Sequence, residues 1–358
     1  MMKLSILNVC LSVVLFYPFV VTAISEAKYK DYGFPAVFAF GDSILDTGNN
    51  NYIFTILKSN FKPYGRDFIG GNSTGRFCNG RIPSDFLVEN LGIKESMPPY
   101  LDPSLEIEDL LTGVCFASAG SGFDPLTIKI ARVLSIEDQL NMFKEYVGRL
   151  HEIVGEEKTA FILEKSIVFI SMGSNDISGT YFMTPFRRRT YNIEEYTTML
   201  VNTSSNFLLE LYSIGVRRIG VLSLSPVGCV PLQRTLRGGL KRDCSESTNQ
   251  GCMLYNSKLS SSLISLSKIL PEAKLVFLEN YSQFNKLVQH PSQYGFEVVD
   301  RTCCGILNIE FGLLCNTLTP KVCEDASKYV FWDGYHPTER AYKIIVSEIL
   351  KKYLDQFV

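Results

Sequence analysis

One serine, one histidine and one aspartate of this sequence lie in settings that suit nucleophilic chemistry. Ser43 follows the apolar run 36–40 and Gly41, a residue that lets the chain turn sharply. Asp333 and His336 are three positions apart, so across a turn the carboxylate can bind one imidazole nitrogen. A serine hydroxyl is a poor nucleophile at neutral pH unless a neighbouring base takes its proton. The three residues could therefore supply a nucleophile, an orienting acid and a base.

Two further segments offer hydrogen-bond donors for a negative charge that develops during a reaction. Apart from Phe116, residues 116–122 are small. Because small residues allow a close approach of the backbone, N–H groups of this segment can contact an anion. Asn175 follows the apolar run 167–171 and could direct its amide N–H₂ at an oxyanion. Taken singly, each segment is equally typical of a polar turn or a helix cap. Together with the three residues above, they provide every part of acyl transfer.

Short apolar runs alternate with longer helical patterns along the chain. Runs that are apolar on both faces predict buried parallel strands at 36–40, 113–117, 167–171, 219–224 and 275–278. Helical periodicity is found at 82–90, 135–150, 193–214, 250–270 and 337–354. The alternation predicts one α/β domain, a three-layer α/β/α sandwich with a central, mostly parallel five-stranded sheet. In such folds ligands bind beyond the carboxyl ends of the strands, where the polar segments lie.

The last predicted helix places one histidine in a special position. It starts at Pro337, a favoured first-turn residue, so we expect His336 to lie near its N-terminus. The positive end of the helix dipole disfavours a charged imidazole there, and a general base has to be neutral.

The other histidines have simpler explanations. His151 lies in a charged helical pattern, and His290 precedes Pro291 at a helix end, where it is typical of a C-terminal cap.

The composition is that of a folded protein with no sign of nucleic-acid binding. Of 358 residues, 46% are apolar and 20% are charged, which excludes disorder as the main state. The formal net charge of -2 lacks the basic excess of a nucleic-acid binder. The sequence has no phosphate loop, no dinucleotide-binding fingerprint and no G-x-S-x-G motif. We therefore expect no cofactor and no bound metal.

The first 23 residues have the pattern of a cleaved signal peptide. Lys3 supplies a positive charge, residues 4–21 are mostly apolar, and Ala23 ends a small-residue cleavage site. A membrane-anchoring helix is the alternative, but Pro18 and the short uninterrupted apolar core disfavour it. We expect residues 24–358 to form a single domain that is secreted to the extracellular space, with no stable membrane anchor.

Cysteines and glycosylation sequons fit that compartment. Nine cysteines follow the predicted leader, so at least one thiol stays unpaired, and Cys115 in an apolar run is typical of a buried small hydrophobe. Four cysteines crowd into residues 303–323, a density that favours disulfides pinning a loop over a zinc site. The sequence leaves their pairing open. Sequons at Asn72, Asn202 and Asn280 are candidate glycosylation sites.

Four blocks, in order along the chain, resemble the plant GDSL esterase/lipases of the SGNH hydrolase superfamily. The blocks are 41–43 with 46–50, then 116–122, 173–176 and 333–337. Similar stretches between them include 63–67, 74–81, 226–231 and 303–305. The resemblance spans nearly the whole mature chain, and it implies a flavodoxin-like SGNH hydrolase fold. Among the subgroups, the extracellular lipases of anthers and the pollen coat are the most similar.

The resemblance implies a carboxylic-ester hydrolase that works through an acyl-serine intermediate. Ser43 would be the nucleophile, His336 the base and Asp333 the group that orients the base. The substrate would be an ester of an acyl lipid, of cutin or wax, or of an acetylated cell-wall glycan. Two other functions stay open at this point: an acyltransferase that uses the same acyl-serine, and a non-catalytic secreted lipid-binding protein. The sequence specifies neither the acyl chain length nor the oligomeric state.

The resemblance also implies an oxyanion hole. Its donors would be the Ser43 N–H, the Gly120 N–H and the Asn175 side chain. Many relatives have two glycines where this chain has Ala119 and Gly120, but a backbone N–H survives that change. Gly122 is the alternative donor if the register of the block is shifted.

Overall fold

The structure is a computed structural model that describes residue 29 and residues 32–305, 315–316 and 322–358. The predicted signal peptide, residues 1–23, lies outside the described residues. Within the described part of the chain, none of the helices combines the length and the apolar character that a bilayer crossing requires.

Parallel strands form the central sheet, and they are adjacent in the order in which they occur along the chain. They are β1 (Val37–Gly41), β2 (Ile167–Ser171), β3 (Arg218–Leu222) and β4 (Lys274–Leu278). Every residue of β1 and β2 is buried, as expected for apolar runs covered on both faces. The register pairs Gly41 with Ser171, so the carboxyl ends of these two strands finish level at one edge. The predicted parallel α/β sheet is confirmed.

One of the five predicted strands, residues 113–117, is not a regular member of this sheet. It lies beside β1 and makes an isolated parallel bridge between Cys115 and Ala39. The Phe116 N–H donates to the Ala39 carbonyl at 2.8 Å. On its other side Cys115 bridges Pro99, and a proline has no N–H with which to extend a ladder. The segment therefore closes the sheet edge instead of adding a full strand.

Helices cover both faces of the sheet. The described α-helices are α1 (Pro83–Asn90), α2 (Ile107–Thr112), α3 (Pro125–Ala131), α4 (Ile136–Lys165), α5 (Ile193–Ile214), α6 (Pro231–Arg237), α7 (Glu246–Ser267), α8 (Tyr281–Gln289) and α9 (Glu339–Tyr353), and a π-helix covers Asn175–Met183. On one face, α5 packs between α4 and α7, and on the other, α9 packs against α1 and α8. The predicted helices are all present, and α4 continues well past its predicted end at residue 150.

The last helix begins later than predicted. Its first residue is Glu339 instead of Pro337, because Thr338 is the capping residue and its hydroxyl accepts a hydrogen bond from the Ala341 N–H. His336 therefore lies near the N-terminus of this helix, two positions before the cap and outside the first turn, where the dipole acts most strongly.

Disulfides and a small second sheet hold the C-terminal part of the chain. The strands β5 (Val298–Thr302) and β6 (Tyr329–Phe331) pair in parallel. Disulfides join Cys303 to Cys323, Cys304 to Cys315, and Cys229 to Cys244. The unpaired thiols of the described residues are buried and belong to Cys78, Cys115 and Cys252. The prediction of disulfides instead of a zinc site in residues 303–323 is confirmed.

The disulfide-bonded segment is joined directly to the chain that follows β6. The Cys303 N–H donates to the Phe331 carbonyl at 3.1 Å, and the Cys304 N–H donates to the Trp332 carbonyl at 2.7 Å. The Trp332 N–H in turn donates to the His336 carbonyl at 2.7 Å. The turn that carries the predicted acid and base therefore rests on disulfide-bonded backbone.

The turn after β1 depends on a glycine. Gly41 has a φ of 144°, and a Cβ added there would lie 2.0 Å from the Ser171 carbonyl oxygen. The Gln139 side chain accepts from the Gly41 N–H and donates to its carbonyl, both at 2.9 Å. A side chain at position 41 would push β2 away, so glycine lets the chain turn towards Ser43 while the strands stay paired.

We expect Gly41→Ala to destabilise the protein by roughly 3 kcal/mol or more, because the methyl group clashes with backbone in a strained conformation. Gly148→Ala is the matched control, since Gly148 lies in α4 with no atom within 4 Å of an added Cβ, and alanine favours a helix by about 1 kcal/mol. Urea unfolding followed by circular dichroism measures both variants. A Gly41→Ala protein with the wild-type free energy of unfolding would contradict this packing.

Candidate active site

Ser43 lies at the carboxyl edge of the sheet, just beyond the level ends of β1 and β2. The Asp42 N–H donates to the Ser171 carbonyl at 3.0 Å, so the pairing of the two strands continues past Gly41. The chain then turns, and the N–H of Asp46 donates back to the Asp42 carbonyl at 3.0 Å. The Ser43 side chain is left at the rim of the sheet, where the sequence pattern placed it.

His336 reaches Ser43 from the other end of the chain. The imidazole Nε2 lies 2.7 Å from Ser43 Oγ, a hydrogen bond across 293 sequence positions. The Nδ1 lies 2.8 Å from each carboxylate oxygen of Asp333. With its proton on Nδ1, the imidazole presents Nε2 as a base that can accept the serine proton. The structure thus brings together the three residues that the sequence singled out.

A tight turn presets the acid and the base. The Asp333 Oδ1 accepts hydrogen bonds from the N–H groups of Tyr335 and His336, both at 2.8 Å, the pattern of an Asx turn. At the other end of the turn, the His336 carbonyl accepts from the Trp332 N–H at 2.7 Å. Because both ends of the turn are tied, the carboxylate and the imidazole are oriented before any substrate arrives.

Tyr64 supports Asp333 from a distant part of the chain. Its hydroxyl donates to Asp333 Oδ2 at 2.7 Å. Burial raises the pKa of Asp333, but His336, the Tyr335 N–H and Tyr64 outweigh it and hold that pKa below its usual value. Burial and the nearby carboxylate raise the pKa of Tyr64 well above its usual value, so it stays a neutral donor. No local pattern assigns a role to Tyr64, and its only signal in the sequence is the block 63–67.

An aromatic ring covers the imidazole. The Phe77 ring centroid lies 5.0 Å from the centroid of the His336 ring and 5.6 Å from that of the Tyr64 ring. Only 8% of His336 is exposed to solvent. Because these rings exclude water, the ion pair that forms when the imidazole is protonated acts in a medium of low dielectric constant.

The predicted oxyanion donors share one cavity with the nucleophile. Ser43, Gly120 and Asn175 all line it. Among the described residues, neither the Ser43 N–H nor the Gly120 N–H donates to a protein acceptor. The Asn175 amide donates one hydrogen to the Ser121 carbonyl at 2.9 Å, and this leaves its second hydrogen for a ligand. The three groups can therefore donate to an oxygen bound beside Ser43.

Gly122, the alternative donor, has different surroundings. It packs against the Asp176 carboxylate, which a Cβ at this position would meet at 2.3 Å. The same carboxylate accepts a hydrogen bond from the Phe123 N–H at 2.8 Å. These contacts fix the register of the block and leave Gly120 as the donor in the cavity.

The block 46–50 holds the Gly120 donor in place. Asp46 Oδ2 accepts a hydrogen bond from the Ala119 N–H at 2.8 Å, and Asn50 Nδ2 donates to the Ala119 carbonyl at 2.9 Å. That carbonyl shares a peptide plane with the Gly120 N–H, so the Asn50 bond fixes the direction of the N–H and polarises it. The block contributes to the family resemblance of the sequence, but its residue types alone assign it no role.

Asp42, next to the nucleophile, is buried with one oxygen unbonded. Its Oδ1 accepts from the Ile44 N–H at 3.0 Å, and within the described residues its Oδ2 has no hydrogen-bond partner. Burial raises the pKa of Asp42 to about 7, although the Ile44 bond and the His336 charge act to lower it. A carboxyl group whose charge changes near neutral pH beside the reacting atoms is typical of functional sites.

The remaining predicted site residues lie in different surroundings. Asn72 and Asn202 are exposed, as a glycan acceptor must be, whereas Asn280 is half-buried and lines the cavity. Of the three sequons, Asn280 is therefore the least accessible. His151 is exposed on α4, and His290 caps the C-terminal end of α8 through its N–H.

A cavity of about 360 Å³ opens at Ser43 and His336 and reaches the layer formed by α8 and α9. Its inner walls are buried aliphatic and aromatic side chains, among them Leu222, Leu224, Val227, Phe284, Ile345 and Ile349. The volume lies within the range of roughly 300–1,000 Å³ found for small-molecule sites. Such a space suits an apolar chain attached to a group that reacts at Ser43.

The chemistry available at this site is nucleophilic attack with proton transfer and stabilisation of an oxyanion. Ser43, His336 and Asp333 supply the first two functions, and the backbone and amide donors supply the third. In the part of the chain that the structure describes, no group of three or more His, Cys, Asp or Glu side chains could hold a metal ion.

Comparison with known proteins yields similar sequences that cover almost the whole chain. The model of the GDSL-like lipase/acylhydrolase family matches residues 37–349. GDSL esterase/lipase EXL3 of Arabidopsis thaliana is 48% identical over 351 residues, which cover 98% of this chain and 96% of the relative. Another GDSL esterase/lipase of the same plant is 50% identical over 319 residues, 89% of this chain and 90% of the relative. Among solved structures, a catalytic mutant of an acetylxylan esterase from Geobacillus stearothermophilus has a TM-score of 0.42 at 14% identity and covers 89% of this chain and 93% of its own.

We expect Asn50→Ala to lower kcat for a p-nitrophenyl ester by about tenfold and to leave KM nearly unchanged. Loss of an oxyanion donor costs about 10²–10³ in kcat, and a donor that is only misdirected should cost less. Asn51→Ala is the matched control, because the Asn51 amide donates to the Thr74 carbonyl instead. Thermal unfolding is recorded for both variants. A rise in KM with unchanged kcat, or an equal decrease of kcat in the two variants, would show that Asn50 does not direct the donor.

Proposed function

The chain belongs to the GDSL-like lipase/acylhydrolase family and is a serine ester hydrolase, and from this premise we propose that it hydrolyses acyl-lipid esters outside the cell. The observation that carries the proposal is the 2.7 Å hydrogen bond between Ser43 and His336 at the opening of an apolar cavity. We assign the catalytic roles to Ser43, His336 and Asp333.

The first half of the proposed reaction forms an acyl-enzyme. Ser43 Oγ attacks the ester carbonyl carbon while His336 Nε2 takes the hydroxyl proton. Asp333 keeps the imidazole in the right tautomer and stabilises the imidazolium. The imidazolium then protonates the departing alkoxide, and the acyl group stays on Ser43. In the second half, His336 activates a water molecule that attacks the acyl-serine and releases the carboxylic acid.

The oxyanion of each tetrahedral intermediate is assigned to the Ser43 N–H, the Gly120 N–H and the Asn175 amide. Such donors are worth roughly 3–4 kcal/mol each when they are aimed at the developing charge. Two observations support the assignment. All three residues line the cavity, and the Gly120 peptide is held by the Asn50 hydrogen bond.

The shape and lining of the cavity favour acyl lipids, including cutin or wax esters, over acetylated glycans. An acetyl group would occupy only a small part of a volume of about 360 Å³. Buried side chains such as Leu224, Phe284 and Ile349 offer no partners for sugar hydroxyls. An aliphatic acyl chain gains about 0.8 kcal/mol for each CH₂ that it buries against such walls.

We expect Ser43→Ala to lower the turnover of p-nitrophenyl esters by at least about 10³-fold with an unchanged thermal unfolding curve. For the wild-type enzyme, kcat/KM should rise from the acetate to the octanoate ester, because each added CH₂ is buried. Undiminished turnover by Ser43→Ala would reject the mechanism. A series that is flat or falls with chain length would reject the acyl-lipid assignment and leave the mechanism standing.

We also propose that the protein is secreted through a cleaved leader and belongs to the anther and pollen-coat subgroup of extracellular lipases. The leader pattern of residues 1–23 supports export. So do the three disulfides, which are typical of oxidising compartments. The exposed sequons at Asn72 and Asn202 are accessible to the glycosylation machinery of the secretory route.

Expression of the full chain in cultured plant cells tests the export proposal. We expect the medium to contain a protein that starts after Ala23 and carries glycans at Asn72 and Asn202 but not at Asn280, since Asn280 is half-buried. N-terminal sequencing and mass spectrometry after deglycosylation measure this. Retention in the cell with an intact leader would contradict secretion, and absence of the protein from anther fluid and pollen coat would contradict the subgroup.

A further inference from the structure

Two apolar side chains of the cavity lining, Ile56 and Met183, are exposed to solvent, and so are Phe54, Phe186 and Ile130 on the segments beside them. The exposed fraction is 94% for Phe54, 78% for Ile56, 52% for Ile130, 39% for Met183 and 55% for Phe186. We call these five side chains the apolar rim. Single exposed apolar residues are common on soluble proteins, but a group of them beside a binding cavity marks an interaction surface.

One side of the apolar rim is formed by a loop and by the end of α3. Ile56 lines the cavity itself, so the loop borders the opening. Thr55, which lies between Phe54 and Ile56, donates a hydrogen bond from its hydroxyl to the Ala131 carbonyl at 3.3 Å. Ile130 is the neighbour of Ala131. The loop and the end of α3 are therefore adjacent.

The other side of the apolar rim follows the π-helix. Met183, its last residue, also lines the cavity. Arg187, one residue after Phe186, forms an ion pair with Asp124, the N-terminal capping residue of α3. The segment after the π-helix is thus held against the start of α3, and the loop is held against its end. Both sides of the apolar rim are therefore attached to α3.

The same three segments carry only positive charge. Residues 52–62, 125–134 and 183–192 contain seven Lys or Arg and no Asp or Glu, although the whole chain has a formal net charge of -2. Arg187 is neutralised by Asp124. The other six cations form no ion pair with a carboxylate within the described residues. An apolar surface with cations around it complements an anionic lipid surface.

We propose that the apolar rim and its cations dock the protein on an anionic lipid surface with the cavity mouth facing the lipid. The Phe and Ile side chains enter the acyl layer while the Lys and Arg side chains stay at the headgroup phosphates. A soluble polyanion would engage the cations but would leave the apolar side chains in water. In the docked protein, an acyl chain enters the cavity directly from the lipid and reaches Ser43. This last step rests on the proposed function.

Vesicle sedimentation with a Ser43→Ala protein, purified from the medium of secreting cells, tests the docking. This variant hydrolyses no lipid, so binding is read separately from catalysis. We expect it to bind vesicles of phosphatidylcholine mixed with phosphatidylglycerol, more weakly at high salt, and to bind pure phosphatidylcholine less. Two pairs of substitutions are then added separately to this variant, and each pair should weaken binding to the mixed vesicles by about tenfold. The apolar pair is Phe54→Ser with Ile130→Ser, and the charge pair is Lys129→Gln with Arg189→Gln.

Matched controls come from the opposite edge of the sheet, where β4 begins. Ile264 and Ile269 are 59% and 66% exposed, similar to the apolar rim, and Lys268 and Lys274 are exposed cations nearby. Two control pairs should leave vesicle binding unchanged. They are Ile264→Ser with Ile269→Ser, and Lys268→Gln with Lys274→Gln. In chains that keep Ser43, Phe54→Ser with Ile130→Ser should leave turnover of the soluble p-nitrophenyl acetate unchanged and lower turnover of an emulsified ester.

Three results would overturn the proposal. The first is no binding to the mixed vesicles. The second is equal loss of binding in the control variants. The third is loss of binding with the charge variants alone, which would indicate a site for a soluble polyanion. Because vesicle binding is read on Ser43→Ala, a failure of the proposed catalytic function would not change any of these results.

Discussion

The hydrogen bond between Ser43 and His336 can form only if two distant parts of the chain meet at one edge of the sheet. The two partners are 293 positions apart and come within 2.7 Å. Each is placed by its own support. The level ends of β1 and β2, with a glycine at position 41, bring the serine to the rim, and the Asx turn after β6 orients the histidine. An error of 1 Å in either support would break the contact, since a hydrogen bond has little tolerance in length.

The nucleophile and one of its oxyanion donors depend on the same short stretch of sequence. Asn50 lies seven positions after Ser43 and holds the peptide that carries the Gly120 N–H. Asp46, between them, binds the preceding N–H of the same loop. Movements of this stretch would therefore displace the nucleophile and the donor together, which preserves their relative geometry. This is a physical reason for a block of polar residues immediately after the serine.

Local patterns predicted most of the fold, and contacts between distant segments explain what they missed. The apolar runs of β1 and β2 identify their strands because both faces are buried. β3 is buried after Arg218, whereas β4 buries only alternate residues, fewer than its apolar run predicted. Residues 113–117 show the same pattern, but they make only an isolated bridge to β1, and on their other side they bridge Pro99, which has no N–H for a ladder. Ser43, Asp333 and His336, to which we assign the catalytic roles, were visible in the sequence as residue types at strand ends. Tyr64 was not, because its bond to Asp333 spans 269 positions, and no local periodicity reports such a contact.

The disulfides of the C-terminal segment bear on when the enzyme can act. Cys303 and Cys304 hold the backbone from which the turn with Asp333 and His336 projects. In a reducing compartment these cross-links do not persist, and the turn loses part of its support. The alignment of Asp333 and His336 is thereby coupled to the oxidation state of Cys303 and Cys304, although neither pair of residues is close to the other in sequence.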